Sequence, residues 1–251
     1  MQLTILGTAT PFPVPANACS GYLLQSTDKS TSLWIDAGTG TLAQLQRFLR
    51  LDELDAIWVS HRHADHTADL LVAYYALRFG AVRPRHRVRV IGPEALADRL
   101  AEFLGPDARR GLHDVFEFTE MSGWGETIVG DLRLSWGPVA HRVPAFALTV
   151  TDGSTGFTYS GDTAPCISLV EMAEQSSTLL CEVGYSRESL GEEAVHHTPE
   201  DAARTASAAG VDTIILTHLA SDLEPAAAVR RVHDHFAGTI VRAEPGVTFS
   251  V

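Results

Sequence analysis

Apolar residues in this chain switch repeatedly between short runs at strand spacing and longer stretches at helical spacing. QLTIL (2–6), SGYLLQ (20–25) and SLWIDA (32–37) predict three strands, the first two separated by a loop stiffened by Pro11, Pro13 and Pro15. Gly38 and Gly40 turn the chain into TLAQLQRFL (41–49), whose leucines and Phe48 recur at helical period. LDAIWVS (54–60) predicts a buried strand, and TADLLVAYYALRF (67–79) a helix with Thr67 as its N-cap. A strand (RVRVIG) and a helix (PEALADRLAEFL) follow, then short strands near VFEF, ETIV and DLRLSW and the strands AFALTV and GFTYS. The last third alternates again. APCISLVEMAEQ predicts a helix, STLLCEV a strand, TPEDAARTASAAG a helix capped by Thr198 and stopped by Gly210, and DTIILTH a strand. EPAAAVRRVHDHF predicts a final helix before the closing strands GTIVRA and GVTFSV. No repeat or low-complexity stretch interrupts the series, so a single α/β domain over residues 1–251 is expected.

Composition narrows the function classes. With 45% hydrophobic and 20% charged residues the chain should fold on its own core. It has no apolar run of the roughly 18 residues a membrane helix needs and no exported leader, so a cytoplasmic protein without a membrane partner is expected. Cys19, Cys166 and Cys181 lie far apart with no CxxC pair, which fits small buried residues in a reducing compartment. The net charge of -12 argues against a stable nucleic-acid partner, because such binding relies on Lys and Arg neutralising phosphates. A local exception is Arg78, Arg83, Arg85, Arg87 and Arg89, where a solvated helix end and strand face is the favoured reading over phosphate contact.

The chemistry concentrates in His61-Arg62-His63-Ala64-Asp65-His66, at the handover from a strand to a helix. Imidazole nitrogen and carboxylate oxygen are ligands for Zn²⁺, and four of them on one turn can serve two neighbouring ions. Further candidates stand at later strand ends: His141 after SWGPVA, Asp162 in YSGDT and His218 in IILTH. No GxSxG elbow occurs and neither Cys166 nor Cys181 has a distinct His partner, so a metal rather than a side chain should generate the nucleophile.

The order HxHxDH, His, GD, His resembles the metallo-β-lactamase superfamily over nearly the whole chain. The resemblance implies a four-layer αββα sandwich, two mixed sheets flanked by helices, with a site at one edge. One metal would take His61, His63 and His141, the other Asp65, His66 and His218, with Asp162 and a hydroxide bridging them. Ligand type favours zinc, with manganese and iron as alternatives. LTILGTATP at the start, Glu182 in LLCEVGY and the HHT of His196 to Thr198 resemble the tRNase Z-like branch, in which such a His and an acidic partner handle protons. That carries proton transfer over to His196 and Glu182, with Asp65 or Asp162 steering the nucleophile. Plainer readings stand beside it: His197 as a solvent-facing neighbour, Glu182 as a hydrogen-bond partner of a ligand, and His196 as a helix cap.

The chain departs from tRNase Z in one respect. Enzymes of that kind carry a tRNA-binding arm between the third His motif and the bridging Asp, whereas only 20 residues (142 to 161) separate His141 from Asp162 here. The resemblance is closest to compact bacterial members without the arm, among them cyclic-nucleotide and other small cyclic phosphodiesterases. A phosphodiesterase acting on a small, cyclic substrate is therefore expected, the alternatives being a lactonase or thioesterase-type acyl hydrolase and a non-catalytic metal-binding protein. Phe12, Phe146 and Tyr185 are candidate walls of its pocket, and the resemblance further implies a homodimer through the helix over 67–79.

Overall fold

The computed structural model describes residues 1–251 apart from 83, 85 and 189–192. Its first sheet holds β1 (Gln2–Ala9), β2 (Ala18–Cys19), β3 (Gly21–Gln25), β4 (Ser32–Ile35), β5 (Ala56–Trp58), β6 (Val88–Pro93) and β7 (Phe116–Met121). The second holds β8 (Gly125–Val129), β9 (Leu132–Pro138), β10 (Phe146–Thr151), β11 (Gly156–Tyr159), β12 (Thr178–Val183), β13 (Thr213–Leu219) and β14 (Thr239–Arg242). The last strand, β15 (Thr248–Ser250), returns to the first sheet and pairs antiparallel with β1. Both sheets are mixed: β4 to β7 run parallel, as do β11 to β14, while the remaining pairs are antiparallel apart from a short parallel contact of β2 with β1.

Burial on both faces explains why the central strands read as almost unbroken apolar runs. Because side chains alternate along a strand, Tyr22 and Leu24 of β3, Leu33 and Ile35 of β4, and Trp58 of β5 point one way. They meet Leu134, Trp136, Leu148, Val150, Phe157 and Tyr159 of the second sheet. The intervening Leu23, Trp34, Ile57 and Val59 face outward, onto helices α1 (Thr41–Leu45), α3 (Asp69–Phe79), α4 (Leu96–Leu104) and α5 (Ala108–Val115); the short α2 (Ala64–Thr67) precedes α3. On the far side α6 (Ile167–Ala173), α7 (Pro199–Ala209) and α8 (Pro225–His233) cover Leu179, Cys181, Ile214 and Leu216. The result is the expected α/β arrangement of two sheets between helical layers.

Several details differ from the sequence reading. Thr67 does not cap a helix: helix begins at Ala64, inside the histidine motif, and the Thr67 hydroxyl donates to the carbonyl of His63 at 2.8 Å. The strand β6 runs on through Pro93, so α4 starts at Leu96 rather than Pro93. The helix α5 was not foreseen, because ARRGLHDV has a charged start and a central glycine and only Ala108, Gly111 and Leu112 are buried. Cys166, expected buried, is half-buried, whereas Cys19 and Cys181 are buried; all three are free thiols. No helix among the described residues is long and apolar enough to cross a membrane.

Candidate metal centre

Strand ends gather the polar groups. The motif follows β5, Asp162 follows β11, Glu182 sits near the end of β12 and His218 near the end of β13, all at the carboxyl ends of parallel strands. The two sheets are tied together there, since the Phe146 amide donates to the carbonyl of Ser60 at 3.0 Å. His218 is the extra residue of a bulge: Glu182 pairs with Thr217 but Val183 pairs with Leu219. With a φ of 50° its backbone is left-handed, and such bulges re-aim a side chain out of the strand's alternation. Gly38 keeps the motif loop tight against the first sheet, because a Cβ there would lie 2.0 Å from the Asp65 carbonyl oxygen.

The seven residues singled out for metal binding converge in two groups. His61, His63, His141 and Asp162 form one, and Asp65, His66, Asp162 and His218 the other, with the donor atoms of each group within 4.8 Å of one another. Asp162 belongs to both. Nitrogen faces nitrogen across the centre: His61 Nε2 to His63 Nδ1 is 2.9 Å, His141 Nε2 to His63 Nδ1 is 3.3 Å, and His66 Nε2 to His218 Nε2 is 3.4 Å.

Outer partners fix the tautomers. His66 Nδ1 donates to Asp36 Oδ2 at 2.7 Å, and His141 Nδ1 donates to the Val195 carbonyl at 3.0 Å. Ser60 Oγ gives its own proton to Asp36 Oδ2 at 2.8 Å and therefore accepts from His61 Nδ1 at 3.0 Å. Each bond leaves an Nε2 lone pair aimed inward, the arrangement a metal-binding imidazole requires. The buried Asp162 Oδ1 lies 3.3 Å from His66 Nε2 yet has no hydrogen-bond partner. Converging lone pairs and an orphaned carboxylate oxygen are the donor set a cation satisfies, so these clusters are suited to binding metal ions.

The electrostatics agree. Burial disfavours charge on Asp162, but facing His218, His66 and His61 hold its carboxyl well below the usual range. Burial also opposes a charge on His66, yet the Asp162 and Asp36 carboxylates outweigh it and hold the ring well above its ordinary value. That field attracts a dication equally. Burial first, then the neighbouring His66, pushes His61 well below its usual value, and burial first, then the neighbouring His141, lowers His63; both stay neutral donors.

A third group, Glu182, His196 and His218, flanks the pair. Glu182 is fully buried; its Oε1 accepts from His196 Nδ1 at 3.0 Å and from the Thr163 and His197 amides, and its Oε2 from the Gly184 amide. Burial works against a charged His196, but the Glu182 carboxylate prevails and the protein groups push the ring up to about 9. Its ring stacks on His218 with centroids 5.6 Å apart, and Tyr185 stands edge-on at 5.1 Å. Thr198, not His196, caps the next helix, accepting from the Asp201 amide. His197 is not solvent-facing: it is buried, and its Nδ1 donates to the Thr163 carbonyl at 2.7 Å.

Two residues escaped the sequence reading. Asp36 is fully buried and accepts from Ser60, His66 and Tyr159, at 2.7 to 2.8 Å; the signal was an acidic residue ending an apolar strand. Gly184 lets His196 approach, since a Cβ there would lie 2.7 Å from its ring. Of the proposed pocket walls Phe146 is buried beside His141, Tyr185 adjoins His196, and Phe12 is exposed at 60%. Arg78 pairs with Asp114, Arg87 with Glu117, and Arg89 donates to the Ile128 carbonyl, in keeping with a surface role; Arg83 and Arg85 lie outside the described residues.

Two sheets between helices, with histidines and aspartates gathered at strand ends, define a metallo-hydrolase class of protein. The beta-lactamase superfamily domain matches residues 31–219, and the chain belongs to the metallo-β-lactamase superfamily. It is 27% identical to the probable metallo-hydrolase YhfI of Bacillus subtilis over 221 residues, covering 87% of each chain. The crystal structure of that protein superposes with a TM-score of 0.87 at 24% identity, covering 99% of each chain. A ribonuclease Z of Ignicoccus hospitalis is 27% identical over 276 residues, covering 88% of each. The short form of human tRNase Z shares the fold with a TM-score of 0.78 at 20% identity, covering 100% of this chain and 99% of that one.

Proposed function

We propose that the protein is a two-metal phosphodiesterase acting on a small, cyclic phosphodiester. The observation that carries this reading is His196, held by Glu182 and stacked on His218, beside a double cluster that shares Asp162. A pair of divalent cations supplies, when bound, an acidified water and positive charge facing the reacting phosphoryl group. The imidazole-rich donor set suits zinc, with manganese and iron as alternatives. His61, His63 and His141 would hold one ion, Asp65, His66 and His218 the other, and Asp162 both. Asp65, which accepts from Thr10 at 3.4 Å, orients the attacking water. His196, protonated at neutral pH through Glu182, gives its proton to the departing alkoxide. The ribonuclease Z relative supports phosphodiester chemistry, and the short β10–β11 hairpin in place of a tRNA-binding arm supports a small substrate.

The test uses leaving groups of different basicity. Loss of the acid in His196→Ala should lower turnover of a 3′,5′-cyclic nucleotide by about a hundredfold or more, and that of bis(p-nitrophenyl) phosphate much less. Chelator should abolish both. Equal losses on the two substrates would remove His196 from proton transfer. Turnover confined to a lactone or p-nitrophenyl acetate would make the protein an acyl hydrolase, and turnover of nothing a metal-binding protein. We further propose a homodimer in the cytoplasm, with Val72, Tyr75 and Phe79 on the exposed face of α3 as the contact.

A further inference from the structure

A cleft of about 560 Å³ opens beside His141, bounded by Arg62, Arg142, Glu94, Met121 and Phe146. Its inner end is the histidine cluster, since His141 Nε2 lies 3.3 Å from His63 Nδ1. Arg62 stands inside the histidine motif, between two candidate ligands, yet its side chain turns to this cleft. Among the described residues its one hydrogen bond runs from Nη1 to the Glu94 backbone carbonyl at 3.3 Å, and its buried Nε has no partner. Among the described residues it is the one arginine with a buried side-chain nitrogen left without a hydrogen-bond partner. Arg78, Arg87, Arg109, Arg133, Arg204 and Arg231 each meet a carboxylate. A second cleft, of about 480 Å³ between the Pro-rich loop and Leu219 to Pro225, contains Arg242, but Glu244 pairs with it there. A guanidinium drawn partly out of water without a carboxylate of its own calls for an anion from elsewhere.

We propose that this cleft is a subsite for a second anionic group of the substrate, a phosphate monoester held by Arg62, with Arg142 lining the same cleft, while the scissile phosphodiester lies over the histidine and aspartate cluster. The inference rests on the phosphodiester reading and names the substrate class more closely: a diester that also carries a terminal phosphate. The Arg62 guanidinium fork suits a phosphate, which is close to dianionic at neutral pH and accepts bidentate bonds. Phe146 and Met121 offer an apolar surface for the sugar or ring joining the two phosphates.

The probes are thymidine 5′-(p-nitrophenyl phosphate) with a free 3′-hydroxyl and the same compound bearing a 3′-phosphate. The wild-type kcat/KM should favour the phosphorylated probe about tenfold or more, as expected for charge-assisted bonds. In Arg62→Gln and in Arg142→Gln that preference should fall about tenfold, mainly through KM, and Arg62→Lys should recover part of it. Reading the ratio removes any loss that a variant suffers in metal content or folding. A wild-type ratio near one, or a ratio that neither Gln variant alters, overturns the subsite while leaving the phosphodiester reading intact. If neither probe is turned over, the phosphodiester reading is decided separately by the cyclic nucleotide, and calorimetry with thymidine 3′,5′-bisphosphate decides the subsite. Binding about tenfold weaker in Arg62→Gln supports it, and equal affinity overturns it.

Discussion

His196 owes its place to a neighbour that touches no reacting atom. The buried Glu182 carboxylate spreads its acceptor capacity over three backbone amides and one imidazole, so it is rigid before His196 reaches it. Those groups push the His196 ring up to about 9, and bound cations would repel the imidazolium and draw it down from there. The acid form is the one present at low pH. The sign is therefore that kcat falls as pH rises through a value at or below about 9, and Glu182→Gln moves this alkaline limb to lower pH. A pH profile whose alkaline limb is the same in wild type and Glu182→Gln contradicts the assignment. Asp36 performs the corresponding service for His66. Its carboxylate is the acceptor for His66 Nδ1, so Asp36→Asn should weaken metal binding about ten- to a hundredfold, read by competition with a chelating dye. Unchanged affinity would show that the His66 ring needs no anchor.

At the scale of elements, α7 links stability to the site. Thr198 and Asp201 bond reciprocally at its start, two residues beyond His196. Thr198→Ala should cost about 1 kcal/mol, lowering Tm by about 2–4 °C. A calorimetric scan identical to wild type would mean that the cap is redundant. The strands and this cap were legible in the sequence because they answer to local rules, alternation and S/T-x-x-D/E. The histidine motif was legible because four donors in six positions have no structural use. Where burial is shallow, as in α5, periodicity carries little signal, and the helix passed unnoticed. Thr67 misled because it has a capping residue's chemistry, while the true start lies one turn earlier, set by the turn that aims Asp65 and His66 inward. Asp36 and Gly184 were illegible for a different reason: their roles depend on neighbours brought from distant strands, with no local pattern.

For the whole molecule, the layered fold brings strands from both sheets to one rim, and the site exists only where they meet. His61, His63, Asp65 and His66 come from the first sheet, and His141, Asp162 and His218 from the second, so the centre bridges the sandwich. The exposed face of α3 lies on the outer layer, with Tyr75 and Phe79 stacked on each other. Sedimentation should give a dimer for wild type and a monomer for a Tyr75→Glu, Phe79→Glu double variant, and a monomeric wild type would dismiss that face as an interface. The central claim is that two cations share Asp162 at the meeting of the sheets. Stripping the protein with chelator, titrating back zinc and counting bound ions tests it most directly: two per chain are expected for wild type and fewer in His218→Ala. A wild-type chain that saturates at one ion or none, or a His218→Ala chain that still binds two as tightly, would contradict the account.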